Sequence, residues 1–159
     1  MSTYFSIRRA TAEDAPEVAA MVGELLTEIM SAIGLQAFSF DLAETISRLT
    51  DFINHEKYFV FVAHANGGNP AGFIALYESY ALYAEGAFGT ISEFFVRSEY
   101  RGNELGFRLV SQIKSFGVSR GWKRLEVTTP PLPQFARTLA FYEREGFSIT
   151  GGRKLKASL

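Results

Sequence analysis

The chain has 159 residues, of which 47% are hydrophobic and 14% aromatic, so it can build a buried core and is not disordered throughout. Its 16 basic and 17 acidic side chains give a net charge of −1, which argues against a strongly basic nucleic-acid-binding protein. The absence of cysteine excludes disulfides, thiolate metal ligands and cysteine nucleophiles, and two histidines are too few for a histidine-rich metal site.

The same length and composition predict one domain over residues 1–159, in a cytoplasmic protein. The longest dense apolar run, residues 58–63, is far shorter than the roughly 20 residues that a membrane-spanning helix needs. We therefore expect neither a membrane nor a nucleic acid among its partners.

The first part of the chain predicts a short strand and two helices. Alternating apolar and polar residues over 5–8 indicate the strand. Apolar residues at helical spacing follow Thr11, a suitable N-cap, and Gly34 ends that helix. A second helix is expected to begin near Asp41, with Glu44 as its capping-box partner.

The middle of the chain predicts a series of strands. Residues 58–63 are β-branched and aromatic, which is typical of a strand buried on both faces. A turn over 66–70 leads into 72–80, the returning strand of a hairpin. We expect 81–89 to form an irregular loop and 90–96 to form the next strand.

The last third predicts a helix from Leu105, a strand over 125–128, a helix over 135–145, and a final hairpin that pairs 147–150 with 155–159. The order of elements predicts an α/β protein (an α+β mixed sheet) with about seven mixed strands, flanked by four helices on both faces.

The most informative segment is 91–106, where a strand runs through a turn into a helix. Free backbone N–H groups at a helix N-terminus, together with the helix dipole, favour a phosphate. Gly102 and Gly106 remove side chains where a diphosphate would approach the backbone, and Arg101 adds positive charge. On spacing alone, an ordinary strand-to-helix turn explains the segment equally well.

Residues 101–106 resemble the acyl-CoA pyrophosphate loop of the GNAT superfamily of N-acetyltransferases, whose pattern is Arg/Gln-x-x-Gly-x-Gly/Ala. Residues 140–147, a helix that carries Tyr142 and ends in Gly-Phe, resemble the second signature of that family, and 7–14 resemble its opening. Residues 92–96 and 100–102 are similar to spermidine/spermine and related diamine acetyltransferases. The resemblance implies a GNAT-like fold, acetyl-CoA as co-substrate without a metal, and a homodimer.

The resemblance also implies contacts with CoA from the strand end, the loop and the first helical turn. These cofactor-binding candidates are Phe94, Phe95, Val96, Arg101, Gly102, Asn103, Glu104, Leu105, Gly106 and Phe107. Two positions depart from the family pattern, because Glu104 replaces the middle glycine and Phe135 stands where the family often has asparagine. A carboxylate beside a diphosphate is unfavourable, so we expect the Glu104 side chain to face solvent.

Two side chains are candidates for catalysis. An alkylamine is protonated at neutral pH, so a base must accept its proton. Glu93 interrupts an apolar strand, where a carboxylate is costly unless it lines a polar cleft. Glu93 is interpreted as the base or water relay, as an anchor for a cationic substrate, or as part of a structural ion pair. By the resemblance, Tyr142 protonates the departing CoA thiolate; packing on the sheet is its alternative role.

We therefore expect acetyl transfer from acetyl-CoA to a small primary amine, such as a diamine or polyamine. Aromatic and acidic residues expected to flank the acceptor cleft suit a cation, namely Tyr77, Glu78, Tyr80, Tyr83 and Glu85. The alternatives are acetylation of a protein N-terminus or lysine, and a non-catalytic acyl-CoA-binding module.

Overall fold

The computed structural model describes residues 3–159, which form a larger unit within Met1–Thr128 and a smaller one, Thr129–Leu159. The strands of the larger unit are β1 (Phe5–Arg9), β2 (Phe59–Ala65), β3 (Asn69–Ala81), β4 (Gly86–Val96) and β5 (Leu125–Val127). Its helices are α1 (Ala15–Ile33), α2 (Leu42–Asn54) and α3 (Leu105–Ser119). The smaller unit contains α4 (Ala136–Arg144). No helix among residues 3–159 is both long and apolar enough to cross a bilayer.

The five strands form one mixed sheet in the order β1-β2-β3-β4-β5. Neighbours from β1 to β4 are antiparallel, whereas β4 and β5 are parallel. The parallel pair is the one whose connection contains a helix, α3, because parallel neighbours need a crossover. The predicted mixed α/β architecture with four helices is confirmed, although the sheet has five strands where about seven were expected.

The two faces of the sheet carry different layers. Val60 and Val62 join a buried cluster contributed largely by α1 and α2. The alternate residues of β2, Phe59 and Phe61, pack against Phe116 of α3, with ring centroids 5.0 and 5.5 Å apart. Since successive side chains of a strand point to opposite faces, α1 and α2 cover one face and α3 covers the other.

The predicted helix ends are found where their capping residues stand. Thr11 precedes a short 3₁₀ turn that leads into α1, and Gly34 ends α1 with a left-handed φ of 71°. Asp41 caps α2, because its Oδ1 accepts a 2.8 Å hydrogen bond from the Glu44 backbone N–H.

The loop predicted over 81–89 is wrong, because β3 and β4 remain paired as far as Ala81 and Gly86. Gly89, which falls in the predicted loop, lies within β4 and has a packing role. A Cβ at Gly89 would lie 2.5 Å from the Trp122 ring and 2.7 Å from Leu125. Glycine is therefore needed where β4 passes under these side chains.

The hairpin predicted over 147–150 and 155–159 is also wrong, because neither segment forms a strand. Ile149 and Leu155 are 75% and 88% exposed, so the segments bury little apolar surface. A two-stranded hairpin without a buried face is marginally stable in water, and adjacent Gly151 and Gly152 add conformational entropy to its cost.

Candidate active site

The junction between β4 and α3 leaves an open space beside the backbone. Gly102 has a φ of 82°, and a Cβ placed on it would meet no atom within 4 Å. Glu104, the N-cap of α3, also has a left-handed φ of 62°. Leu105 follows with its side chain almost fully buried, so it anchors the beginning of the helix.

The first turn of α3 presents backbone donors. The N–H groups of Leu105, Gly106 and Phe107 have no carbonyl one turn earlier within the helix, as in every helix. The Glu104 side chain does not cap them, and it is exposed, as expected. These donors, the dipole of a 15-residue helix and the open space at Gly102 fit a diphosphate group.

Two arginines tie this junction to α1. Arg101 donates from Nε to the carbonyl of Val96 at 2.8 Å and from Nη2 to Glu28 at 2.8 Å. Arg97 binds Glu24 of α1, with its Nη2 2.7 Å from the carboxylate. The Arg101 guanidinium, predicted to face a phosphate, is thus held by the strand end and by α1.

The end of β4 extends beyond its pairing with β5. Phe94, Phe95 and Val96 remain in register with β3. The parallel pairs between β4 and β5 stop at Ile91 and Val127, so residues 92–96 continue past the last pair. The two strands part where the predicted CoA-binding residues of β4 begin.

A β-bulge at Ser92 changes the direction of the side chains along β4. Ile91 pairs with Leu76, but Glu93 pairs with Ala75, so Ser92 is the extra residue. Ala75 belongs to the core beneath α1 and α2, and Leu76 points to the opposite face. Glu93 therefore faces α1 and α2, whereas Ile91, two residues earlier, faces α3.

Glu93 is half-buried, and its hydrogen-bond partners among residues 3–159 are hydroxyl groups. Ser92 Oγ donates to its Oε1 at 2.8 Å, and the Tyr58 hydroxyl donates to its Oε2 at 3.4 Å. Burial raises the pKa of the Glu93 carboxyl, and these hydrogen bonds offset part of the rise. No lysine, arginine or histidine among residues 3–159 forms an ion pair with Glu93, so the structural ion pair is not found.

Aromatic rings lie beside this carboxylate. The ring of Tyr58 stacks on that of Tyr77, with centroids 6.2 Å apart and an interplanar angle of 12°. The centroid of the Phe52 ring lies 5.1 Å from that of Tyr58. Tyr58 and Ser92 were not predicted as site residues. Tyr58 stands at the start of an apolar run, where its only signal is that of a buried strand.

Glu78 and Tyr80 were expected in the same cleft, but they lie on the other face of the sheet, since each is an odd number of positions from Tyr77 along β3. Glu78 accepts hydrogen bonds from the Trp122 indole and from Tyr80, and it pairs with Arg120. Its partners indicate a structural role.

In the smaller unit, Tyr142 is buried within α4, with 4% of its surface exposed. Its ring contacts Phe141 and Phe147 at centroid distances of 5.5 and 5.2 Å. The chain turns after α4 at Gly146, which has a φ of 95°. Burial raises the pKa of the Tyr142 phenol, so it is protonated at neutral pH and can donate a proton.

A family model and several solved structures resemble this chain. The model of the acetyltransferase (GNAT) family matches residues 21–147. No protein of curated function matches the sequence significantly.

Several solved structures share the fold. An aminoglycoside N-acetyltransferase in complex with CoA has 13% identity and a TM-score of 0.79, covering 99% of this chain and 97% of its own. An aminoglycoside acetyltransferase from an uncultured soil metagenomic sample has 18% identity and a TM-score of 0.76, covering 98% and 97%. Ribosomal-protein-alanine N-acetyltransferase from Brucella melitensis has 17% identity and a TM-score of 0.73, covering 98% and 99%.

The family match spans most of the chain, from α1 to the residue that follows the turn after α4. This protein therefore belongs to the GNAT family and is an acetyl-CoA-dependent acetyltransferase.

Proposed function

We propose that this acetyltransferase acts on the primary amine of a small cationic molecule, such as a diamine or polyamine. The observation that carries the proposal is the environment of Glu93, a half-buried carboxylate that has hydroxyl partners and, among residues 3–159, no cationic partner. A carboxylate in such a place favours binding of an ammonium group, and the nearby ring of Tyr77, which is 37% exposed, favours a cation further.

In this proposal, Glu93 and Tyr142 each transfer one proton. Glu93 accepts a proton from the acceptor ammonium, directly or through water, which frees the nitrogen lone pair for attack. Its raised pKa brings it closer to the range in which a base is effective. Tyr142 donates its phenolic proton to the departing sulfur and regains one from solvent; its raised pKa keeps the phenol protonated before the transfer.

CoA supplies the acetyl group as a thioester, and the β4–α3 junction has the groups to hold it. The amides of Leu105, Gly106 and Phe107 would bind the diphosphate, with Gly102 and Asn103 beside it. The strand end at 94–96 would supply backbone contacts to the rest of the molecule and N–H groups for the oxyanion. Arg101 would act mainly by holding the loop, given its bonds to Val96 and Glu28.

An acceptor screen tests the proposal. The protein is mixed with acetyl-CoA and an amine, and thiol release is followed against a blank without protein. The panel contains a diamine, a polyamine, an aminoglycoside, a peptide with a free N-terminus and a peptide with an internal lysine. The aminoglycoside and the peptides are included because structural neighbours are named for such substrates.

The small cationic amines are expected to give the highest kcat/KM. Preference for a peptide would replace the proposal with protein acetylation, and CoA binding without thiol release for any amine would favour a non-catalytic module.

Matched variants test the roles of the two side chains. Glu93→Gln and Tyr142→Phe should each lower kcat by about 10²-fold or more with the best amine, as expected for loss of acid–base catalysis. Their controls are Glu13→Gln and Tyr4→Phe, which change exposed side chains and should keep full turnover. Full turnover by both Glu93→Gln and Tyr142→Phe would refute these roles.

Three broader features remain part of the proposal. The two units would act together as one acetyltransferase domain over 1–159, the protein would form a homodimer, and it would work in the cytoplasm. Sedimentation equilibrium would test the dimer, since a monomer at micromolar concentration would contradict it.

A further inference from the structure

We propose that Ser92 and Tyr58 are positioning residues that hold the two carboxylate oxygens of Glu93 at the acceptor site. The inference rests on the proposed function of Glu93. It adds two side chains that do not touch the reacting atoms but fix the direction and ionisation of the group that does.

The β-bulge at Ser92 brings the side chains of Ser92 and Glu93 together. In a regular strand, Ser92 and Glu93 would point to opposite faces and their side chains could not meet. Because Ser92 is the extra residue of the bulge, its Oγ lies 2.8 Å from Glu93 Oε1 and 3.2 Å from the Ala75 carbonyl. The single hydroxyl proton serves the shorter contact, which is also the one to a charged acceptor.

Tyr58 supplies the second hydroxyl donor. Its ring is fixed between Phe52, at 5.1 Å, and Tyr77, at 6.2 Å, so the hydroxyl has little freedom to leave Glu93 Oε2. Burial and the neighbouring carboxylate raise the pKa of the Tyr58 phenol, so it stays a proton donor at neutral pH. One donor on each oxygen sets the plane of the carboxylate and leaves its remaining lone pairs for the substrate.

The Ser92 and Tyr58 hydroxyl groups also affect the ionisation of Glu93. The titratable side chains on this face beside Glu93 are Tyr58 and, stacked on it, Tyr77; no charged side chain among residues 3–159 pairs with the carboxylate. Both hydroxyl groups favour the ionised form, against the effect of burial. Removal of either donor should therefore make Glu93 harder to ionise.

The experiment compares Tyr58→Phe and Ser92→Ala with the wild type. Tyr58→Phe keeps the ring stack, and Ser92→Thr keeps a hydroxyl as the conservative rescue. The acidic limb of the kcat/KM profile for the best amine should move up by roughly half to one pH unit in each of the two hydroxyl-free variants. Above that limb their rates should stay within about threefold of the wild type, and Ser92→Thr should restore the wild-type midpoint.

A second readout does not depend on turnover. In protein labelled with ¹³C-glutamate, the Glu93 carboxyl signal is identified by its loss in Glu93→Gln and is titrated by NMR. Its midpoint should rise in Tyr58→Phe and in Ser92→Ala, and it should not move in Tyr4→Phe. If the wild type acetylates no amine, the proposed function fails and this titration still decides the present inference. Unchanged midpoints, or a uniform loss of rate at every pH, would overturn it.

Discussion

Replacement of Glu104 by glycine should make the protein more stable and its CoA binding tighter. Glu104 holds φ 62° and ψ 12°, in the left-handed region that glycine occupies without steric cost. For a residue with a Cβ, this conformation costs roughly 1–2 kcal/mol. Glycine also raises the conformational entropy of the unfolded chain, which lowers the stability of the fold by about 0.4–1 kcal/mol. The net gain expected for Glu104→Gly is about 0.5–1 kcal/mol.

Charge is a separate contribution, and Glu104→Gln isolates it. This variant keeps the Cβ and its strain but removes the negative charge beside the proposed diphosphate site. At a separation on the order of 8 Å in a water-like dielectric, repulsion from two phosphate charges is about 1 kcal/mol, and salt screens roughly half of it. Both Glu104 variants should therefore bind CoA about two- to threefold more tightly.

The assays are urea denaturation, with the m-value required to stay constant, and titration calorimetry with CoA. Glu104→Gly should raise the melting temperature by about 1–4 °C, whereas Glu104→Gln should not raise it. Equal stability of the two variants would refute the strain argument. Unchanged CoA affinity in both would refute the placement of the diphosphate at the N-terminus of α3.

Three other changes probe the larger unit. Hydrogen bonds from Arg8 lower the pKa of Asp14 from 3.8 to about 2. Asp14→Asn should therefore lower the free energy of unfolding, measured with urea at pH 7, by about 1–2 kcal/mol, a figure reduced because the Arg8 guanidinium is partly exposed to solvent. Because a lowered carboxyl pKa stabilises the fold above about pH 4, that difference should disappear as the pH falls towards 2. Gly72→Ala places a Cβ 2.6 Å from a carbonyl oxygen of β4, so it should destabilise the fold by about 1–3 kcal/mol and raise the KM for acetyl-CoA. Glu28→Gln removes the carboxylate that binds Arg101 and should weaken CoA binding, because the loop is then held less firmly. Tighter CoA binding would contradict this role and would mean that the released guanidinium contacts the phosphates.

Much of the fold could be predicted because local signals and tertiary packing agree. Gly34 and Asp41 mark helix ends through backbone conformation and capping, which depend on few neighbours. The extent of β4 could not be predicted, because Gly89 is explained only by the Trp122 ring, which is distant in sequence. The absent terminal hairpin had no comparable support, since an alternating pattern forms strands only where it can bury a face.

The candidate site divides in the same way. The proposed diphosphate-binding junction could be predicted from glycine spacing before a helix together with the family resemblance of residues 101–106, two signals confined to that segment. The partners of Glu93 depend on a one-residue change of register, and periodicity gives no indication of a bulge. With an unbroken period of two, Glu93 and Ile91 would share a face, and no argument from spacing would bring Glu93 to Tyr58.

Two residues that depart from local rules, Glu93 within β4 and Glu104 at the N-cap of α3, lie on either side of the turn that joins β4 to α3. Both features cost stability, because Glu93 forms no ion pair among residues 3–159 and Glu104, like Glu56 and Glu85, has a left-handed φ. Glu93 faces the proposed amine, and Glu104 lies beside the proposed diphosphate. The two destabilising features therefore lie on either side of the proposed site of acetyl transfer. Glu93→Leu should therefore raise stability while abolishing acetyl transfer, because the site gives up stability for an unpaired charge that the substrate neutralises.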